Sequence, residues 1–229
     1  ALAAWKQELG GLPPVLELPT DHPRPARQSH RGGQVRRRMG AGTVAALEQI
    51  GKEHGCSLYA VLLCAWQVLL HRYSGQRDVV VGSPVAQRGQ AELEEVIGFL
   101  VNTLPFRTVV EEEAKLGELL VRVGERVAGV LEKAVVPFPR LVQELEPDRS
   151  LSHHPIFQVG LALEQREAER CQLEGLEVER QPVELGTAQF DLMLWLTSGP
   201  AGLEMVLEYA TDLYAADTAA RMLGHYGCL

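Results

Sequence analysis

Two short stretches of this chain carry side chains whose types and spacing could do chemistry. The first is residues 96–107, VIGFLVNTLPFR, where Asn102 and Thr103 stand between apolar runs. A buried primary amide holds two donors and an acceptor that need partners, unless it is turned toward a cavity. Asn102 therefore has two readings: an amide bonded to its strand neighbours, or one that faces a cavity. The second stretch is SLSHHP, with His153-His154 close in sequence to Asp148, Ser150 and Ser152. These are the residue types of a Ser–His hydrolase. Nearness in sequence is not triad geometry, however, and Ser, His and Pro also suit a turn entering a strand. The turn is the simpler reading. Gly82-Ser83-Pro84-Val85 lacks the second glycine of a G-x-S-x-G elbow. No phosphate-cradling glycine loop, H-E-x-x-H or C-x-x-C spacing occurs, so metal and nucleotide chemistry have no foothold in these residues.

The elements that must position these residues come from a chain of 229 residues with 46% hydrophobic content, enough for one large or two small domains. Its net charge of −8 argues against nucleic-acid binding. One basic cluster runs against that balance: Arg24, Arg27, Arg31, Arg36, Arg37 and Arg38. It reads most simply as a solvated arm or strand edge, and functionally as a contact for an acidic partner. Four scattered cysteines suit a reducing cytosol. No apolar run reaches transmembrane length and nothing resembles a signal peptide. The first residue is Ala rather than Met, so the chain reads as a piece of something longer.

Prolines and glycines over 10–33 predict an extended surface segment, followed by a short strand at 34–39. Thr43 is placed to cap a helix that ends at Gly55. Ser57 caps a second helix, closed by Gly75 and apolar almost all round, with Cys64 and Trp66 as core. Residues 78–85 predict a buried strand that Gly82-Ser83-Pro84 breaks into a loop. A short helix over 89–98 and a strand over 101–110 come next. Glu111 to Glu113 form the first turn of a long amphipathic helix limited by Pro137, and 138–145 is another helix. The last third reads as strands at 156–164, 176–185, 189–197 and 202–210, the final two a hairpin, with a closing helix near 215–226. This mixture lacks a strict βαβ repeat. It implies an α/β two-layer sandwich, a mixed sheet with helices on one face.

Several blocks together resemble the condensation domains of nonribosomal peptide synthetases, in family order and over essentially the whole chain. IGFLVNTLPFR resembles the family's VNT block, and DRSLSHHPIFQV its R-D-x-S block, which makes His153 and His154 variable loop positions. KAVVPFPRLV resembles the H-Q-D-x-P-F-E block, but Ala134-Val135-Val136 stand where polar residues belong and Pro139 replaces Glu. WKQELGGLPPVLELPTDHPRP, DVVVGSPVAQR and AQFDLMLWL also read like this family. The resemblance implies a chloramphenicol-acetyltransferase-like lobe, one of two around a tunnel that admits phosphopantetheine arms from carrier proteins. No directly bound cofactor is expected.

The family's H-H-x-x-x-D-G, which supplies the general-base His, is absent. The chain therefore resembles the C-terminal lobe only: 1–33 as an extended entry segment and 34–229 as the lobe. No catalytic residue is then expected here, and the isolated chain should be inactive. Asn102 would face the tunnel near the catalytic centre, and Gly82, Ser83 and Pro84 would line it. The segment around 171–189 would be a latch onto the other lobe, and Arg107 an ion-pair or strand-end residue. Implied partners are the N-terminal lobe, peptidyl carrier proteins and an adenylation domain, in the cytoplasm, without nucleic acid or membrane. Arg36, Arg37 and Arg38 are the docking candidates. The alternatives are a non-catalytic carrier-docking module, an epimerization-domain lobe, and the hydrolase built on His153 or His154.

Overall fold

The computed structural model describes residues 1–88, 91–93, 95–145, 150–165, 176, 181 and 183–229. A six-stranded mixed sheet organises them: β1 (Gly32–Met39), β2 (Asp78–Ala86), β3 (Val101–Val109), β4 (Val159–Gln165), β5 (Leu192–Gly199) and β6 (Gly202–Ala210). Their spatial order is β1-β6-β5-β4-β2-β3. Pairing is parallel for β2–β4 and β4–β5 and antiparallel elsewhere. The helices are α1 (Leu2–Leu9), α2 (Ala41–Glu53), α3 (Leu58–Ser74), α4 (Leu116–Leu131), α5 (Phe138–Leu145) and α6 (Ala216–Tyr226). This is the α/β sandwich that the sequence implied.

Alternation along the strands divides the sheet into two faces. Val79, Val81, Leu104, Phe106, Leu194 and Leu207 join the main core under the helices. The opposite positions, such as Gly82, Gly160, Met193, Trp195 and Val206, form the second face. Helix α3 lies deepest under the sheet. Ser57 caps it by accepting from the Ala60 N–H at 3.3 Å, and Gly75 ends it with φ 70°. Trp66 is fully buried, and burial pushes the Cys64 thiol up to about 12, which makes it a packing residue. No single described helix is long and apolar enough to cross a membrane.

Several expectations need correction. Thr43 lies inside the first turn of α2, whose cap is Gly40. The helix expected over 89–98 is reduced, among its described residues, to a 3₁₀ turn, Ala91–Leu93. Glu111 to Glu113 precede α4 rather than opening it; Arg122 and Arg77 pair with Glu111 and Glu112 instead. Gly82-Ser83-Pro84 does not leave the sheet: β2 pairs with β3 through Ala86. Pro84 is tolerated there because β4 pairs with β2 only at Gly82, so the strand beyond has one partner. The expected strand at 176–185 falls largely outside the described residues, and 183–186 form none.

The N-terminal segment is bound tightly to the rest. Residues 2–9 form α1, with Trp5 wholly buried, where only an entry segment was expected. Beyond it the chain is extended, as its prolines require, and side chains stitch it down. Gln158 is the buried staple: its Oε1 accepts from the Leu16 N–H at 2.8 Å and its Nε2 donates to the carbonyls of His154 and Pro14. Asp21 caps α6 from a distance, accepting from the Ala215 N–H and the Thr218 hydroxyl. Those bonds lower its pKa.

Candidate functional site

Asn102 lies near the start of β3, opposite Val85, on the helix-covered side of the sheet. Its Nδ2 donates to the carbonyls of Ala134 and Val136 at 2.9 and 2.8 Å, and its Oδ1 accepts from the Phe138 N–H at 3.0 Å. Both amide protons and the carbonyl are thus committed to the turn between α4 and α5. The amide is bonded within the fold, to this turn rather than to its strand neighbours. These bonds also explain how Ala134-Val135-Val136 can stand in the block: the strand grips their backbone, which needs no polar side chain.

Gly82 and Pro84 are on the second face, whereas Ser83 is buried on the helix side with Val79 and Val81. The four channel candidates therefore do not share one surface. Gly82 has a clear packing role. A Cβ there would stand 2.0 Å from the Phe157 ring, and one at its neighbour Gly160 would stand 2.3 Å from Met193 Sδ. Gly82 thus lets an aromatic cluster lie on the sheet, and Gly160 makes room for Met193. Phe157, His154 and Phe190 have ring centroids 4.9–5.5 Å apart, and Phe138 stacks on His154. The turn into this cluster is strained: the Phe157 N–H donates to the Pro155 carbonyl across Ile156 at φ 71°, rare for a β-branched residue.

His154 and His153 belong to this turn. The Nδ1 of His154 lies 2.9 Å from the Pro155 carbonyl and that of His153 lies 3.3 Å from the His154 carbonyl. Ser150 and Ser152 bond to each other. Asp148 lies outside the described residues. A turn accounts for these contacts without a triad. Burial lowers the His154 pKa, against the raising effect of its backbone bonds and Asp191. His153 also lines a cleft of about 360 Å³ between 9–14 and 153–156.

The basic cluster is not one patch. Arg24 is no solvated arm: it grips the buried Asp191 in a bidentate pair at 3.0 and 2.5 Å and donates to the Ser152 carbonyl. Arg36, Arg37 and Arg38 are exposed on β1, a sheet edge. A Cβ at Gly224 would stand 3.1 Å from the Arg37 guanidinium, so Arg37 lies against α6 while Arg36 and Arg38 point to the second face. Arg107 is an ion-pair residue, bidentate to Asp78 at 2.9 and 2.6 Å, with Nη1 on the carbonyls of Glu8 in α1 and Gly10 just after it. Most of the predicted latch, 171–175, 177–180 and 182, lies outside the described residues.

The condensation-domain family model matches residues 2–228. The chain belongs to that family. One of the linear gramicidin synthase proteins of Brevibacillus parabrevis is 44% identical over 100% of the chain, which spans 3% of that protein. Phosphinothricin tripeptide synthetase of Streptomyces viridochromogenes is 36% identical over 96% of the chain, or 20% of its own length. Among solved structures, a four-domain nonribosomal peptide synthetase superposes with a TM-score of 0.91 at 27% identity, covering 99% of this chain and 18% of that one. The X-domain from teicoplanin biosynthesis gives a TM-score of 0.89 at 29% identity, over 99% of this chain and 53% of that one.

Within this condensation fold, sequence reasoning missed Gln158, the Arg24–Asp191 pair and the Gly82–Phe157 contact. Gln158 carried a signal, a lone polar residue in the apolar run IFQVGLAL. The other two pair residues far apart in sequence and carried none.

Proposed function

We propose that this chain is the C-terminal lobe of a condensation domain that joins aminoacyl or peptidyl groups, carried as thioesters on phosphopantetheine arms, through an amide bond. The observation that carries the reading is one of proportion. The chain matches the family over nearly its whole length, yet accounts for 53% of the X-domain chain that it superposes on. Attack of the acceptor amine on the donor thioester needs a base to take the amine proton. The single His-His pair here, His153-His154, is followed by Pro-Ile-Phe-Gln and is held in a turn. The base would therefore come from the N-terminal lobe, as the H-H-x-x-x-D-G of the family implies. This lobe would supply part of the channel wall through Gly82 and Pro84, with Asn102 fixing the neighbouring turn. Its partners would be carrier proteins and an adenylation domain, in the cytoplasm, where the thiols of Cys56, Cys64 and Cys228 would stay free.

The coding sequence upstream of Ala1 gives the first test. An in-frame lobe with H-H-x-x-x-D-G is expected, and the two-lobe protein should form amide between two loaded carriers in a mass-spectrometric assay. A start codon without such a lobe, or a two-lobe protein that forms no amide, overturns the proposal. A docking module is the second reading. It is favoured by the 30% identical teicoplanin X-domain, whose structure is a complex with OxyB. Exposed Arg36 and Arg38 on β1 would suit an acidic carrier. Carrier binding that weakens steeply with salt and fails after charge reversal at Arg36 and Arg38 is the outcome that this reading requires.

A further inference from the structure

The turn that Asn102 holds from below is also held from above. Lys133, at its start, gives its carbonyl to Trp5 Nε1 at 3.2 Å. Its ammonium pairs with Glu8 and lies 4.8 Å from the centroid of the Trp5 ring. The Glu8 carboxylate is only 7% exposed and also faces Arg126 at 3.7 Å. Arg107 closes the figure by binding, from β3, the carbonyls of Glu8 and Gly10 at the end of α1. Two residues of one sequence block, Asn102 and Arg107, thus anchor the turn and the helix that Lys133 joins.

Buried charge is a poor way to gain stability, since apolar side chains of like volume do as well or better. What it supplies is direction and register. The turn needs both, because Ala134, Val135 and Val136 offer no polar side chain, and Val135 projects 75% exposed. Among the described residues, Trp5 and Asn102 are the side chains that hydrogen-bond its backbone from outside.

We propose that Lys133 is a positioning residue of the amide-forming site, coupling α1 to the turn held by Asn102 and so fixing where that turn stands against the start of β3. This rests on the reading of the chain as a condensation lobe. The test uses the two-lobe protein with Lys133→Met, Lys133→Arg, Glu8→Gln and Asn102→Ala, and the double variant Lys133→Met/Asn102→Ala. Lys133→Met should slow single-turnover amide formation on the order of tenfold to a hundredfold, as small misplacements near a reacting centre do. The carrier concentration at half-maximal rate should stay unchanged. Lys133→Arg should recover most of the rate, and Glu8→Gln should copy the loss if Lys133→Met fails to fold. The double variant should be no slower than Asn102→Ala alone. Additive losses, or a wild-type rate in both Lys133→Met and Glu8→Gln, overturn the coupling. Hydrogen exchange separates this outcome from failure of the enzyme reading. The Phe138 amide should exchange faster in Lys133→Met while β5 and β6 amides do not, whether or not amide is formed. Unchanged exchange at Phe138 overturns the proposal by itself.

Discussion

The two faces of the sheet answer to different demands. On the helix side, most alternate strand positions are Val, Leu, Phe and Met that join the core, with Ser83, Asn102 and Thr108 as polar exceptions. On the second face the same strands carry Gly82, Gly160, Met193, Trp195 and Val206, with Arg36 and Arg38 at the edge. The first face is closed by volume, so apolar exchanges that keep that volume are tolerated best. The second is set by particular shapes: two glycines receive Phe157 and Met193, and Trp195 stays 43% exposed.

That contrast can be broken or sharpened by five measurements. The largest effect belongs to the helix side: Trp66→Ala should cost about 3–5 kcal/mol in denaturant unfolding, as buried Trp deletions do. Asn102 tests a polar exception on that side. Asn102→Ala removes three hydrogen bonds and should cost about 2–3 kcal/mol, with the loss in hydrogen exchange confined to 134–138. Gly82→Ala should cost roughly 1–3 kcal/mol through overpacking, and Phe157→Leu in the same chain should return part of it; an additive double variant would refute the contact. Trp195→Ala should change stability by less than about 1 kcal/mol. A larger loss would mean that the second face is core, and the contrast would fail.

The smallest effect is a pH dependence at His154. Burial among Phe138, Phe157 and Phe190 holds its folded pKa below the ordinary 6.5. The unfolded chain therefore binds this proton first, and stability falls as pH drops below 6.5 toward the folded value. Melting temperature between about pH 7.5 and 5.5 should decline more for the wild type than for His154→Phe. Equal slopes would remove His154 from the account.

Much of the architecture was legible because it is local. Ser57 and Gly75 bound α3 as their capping chemistry demands, and the run GLEMVLEYA after Ser198-Gly199-Pro200-Ala201 pairs back on β5 as a hairpin. The same local logic misled at Gly82-Ser83-Pro84. Turn residues there sit in a strand because the Phe157 ring needs a missing Cβ and Pro84 faces a side without a partner strand. Thr43 and the run Glu111 to Glu113 failed for a related reason, since cap and first-turn preferences are worth about 1 kcal/mol or less and packing readily overrides them.

By itself the sequence determined most of the element types, the buried character of α3, the mixed α/β class and, through its blocks taken together, the condensation family. These are consequences of periodicity, capping and residue type within short windows. Only the tertiary structure decided that the Asn102 amide is spent on the α4–α5 turn, that Arg24 is buried on Asp191, and that the channel candidates divide between two faces. Each of those depends on which distant backbone or charge arrives within about 3 Å, and no short window of residues carries that information.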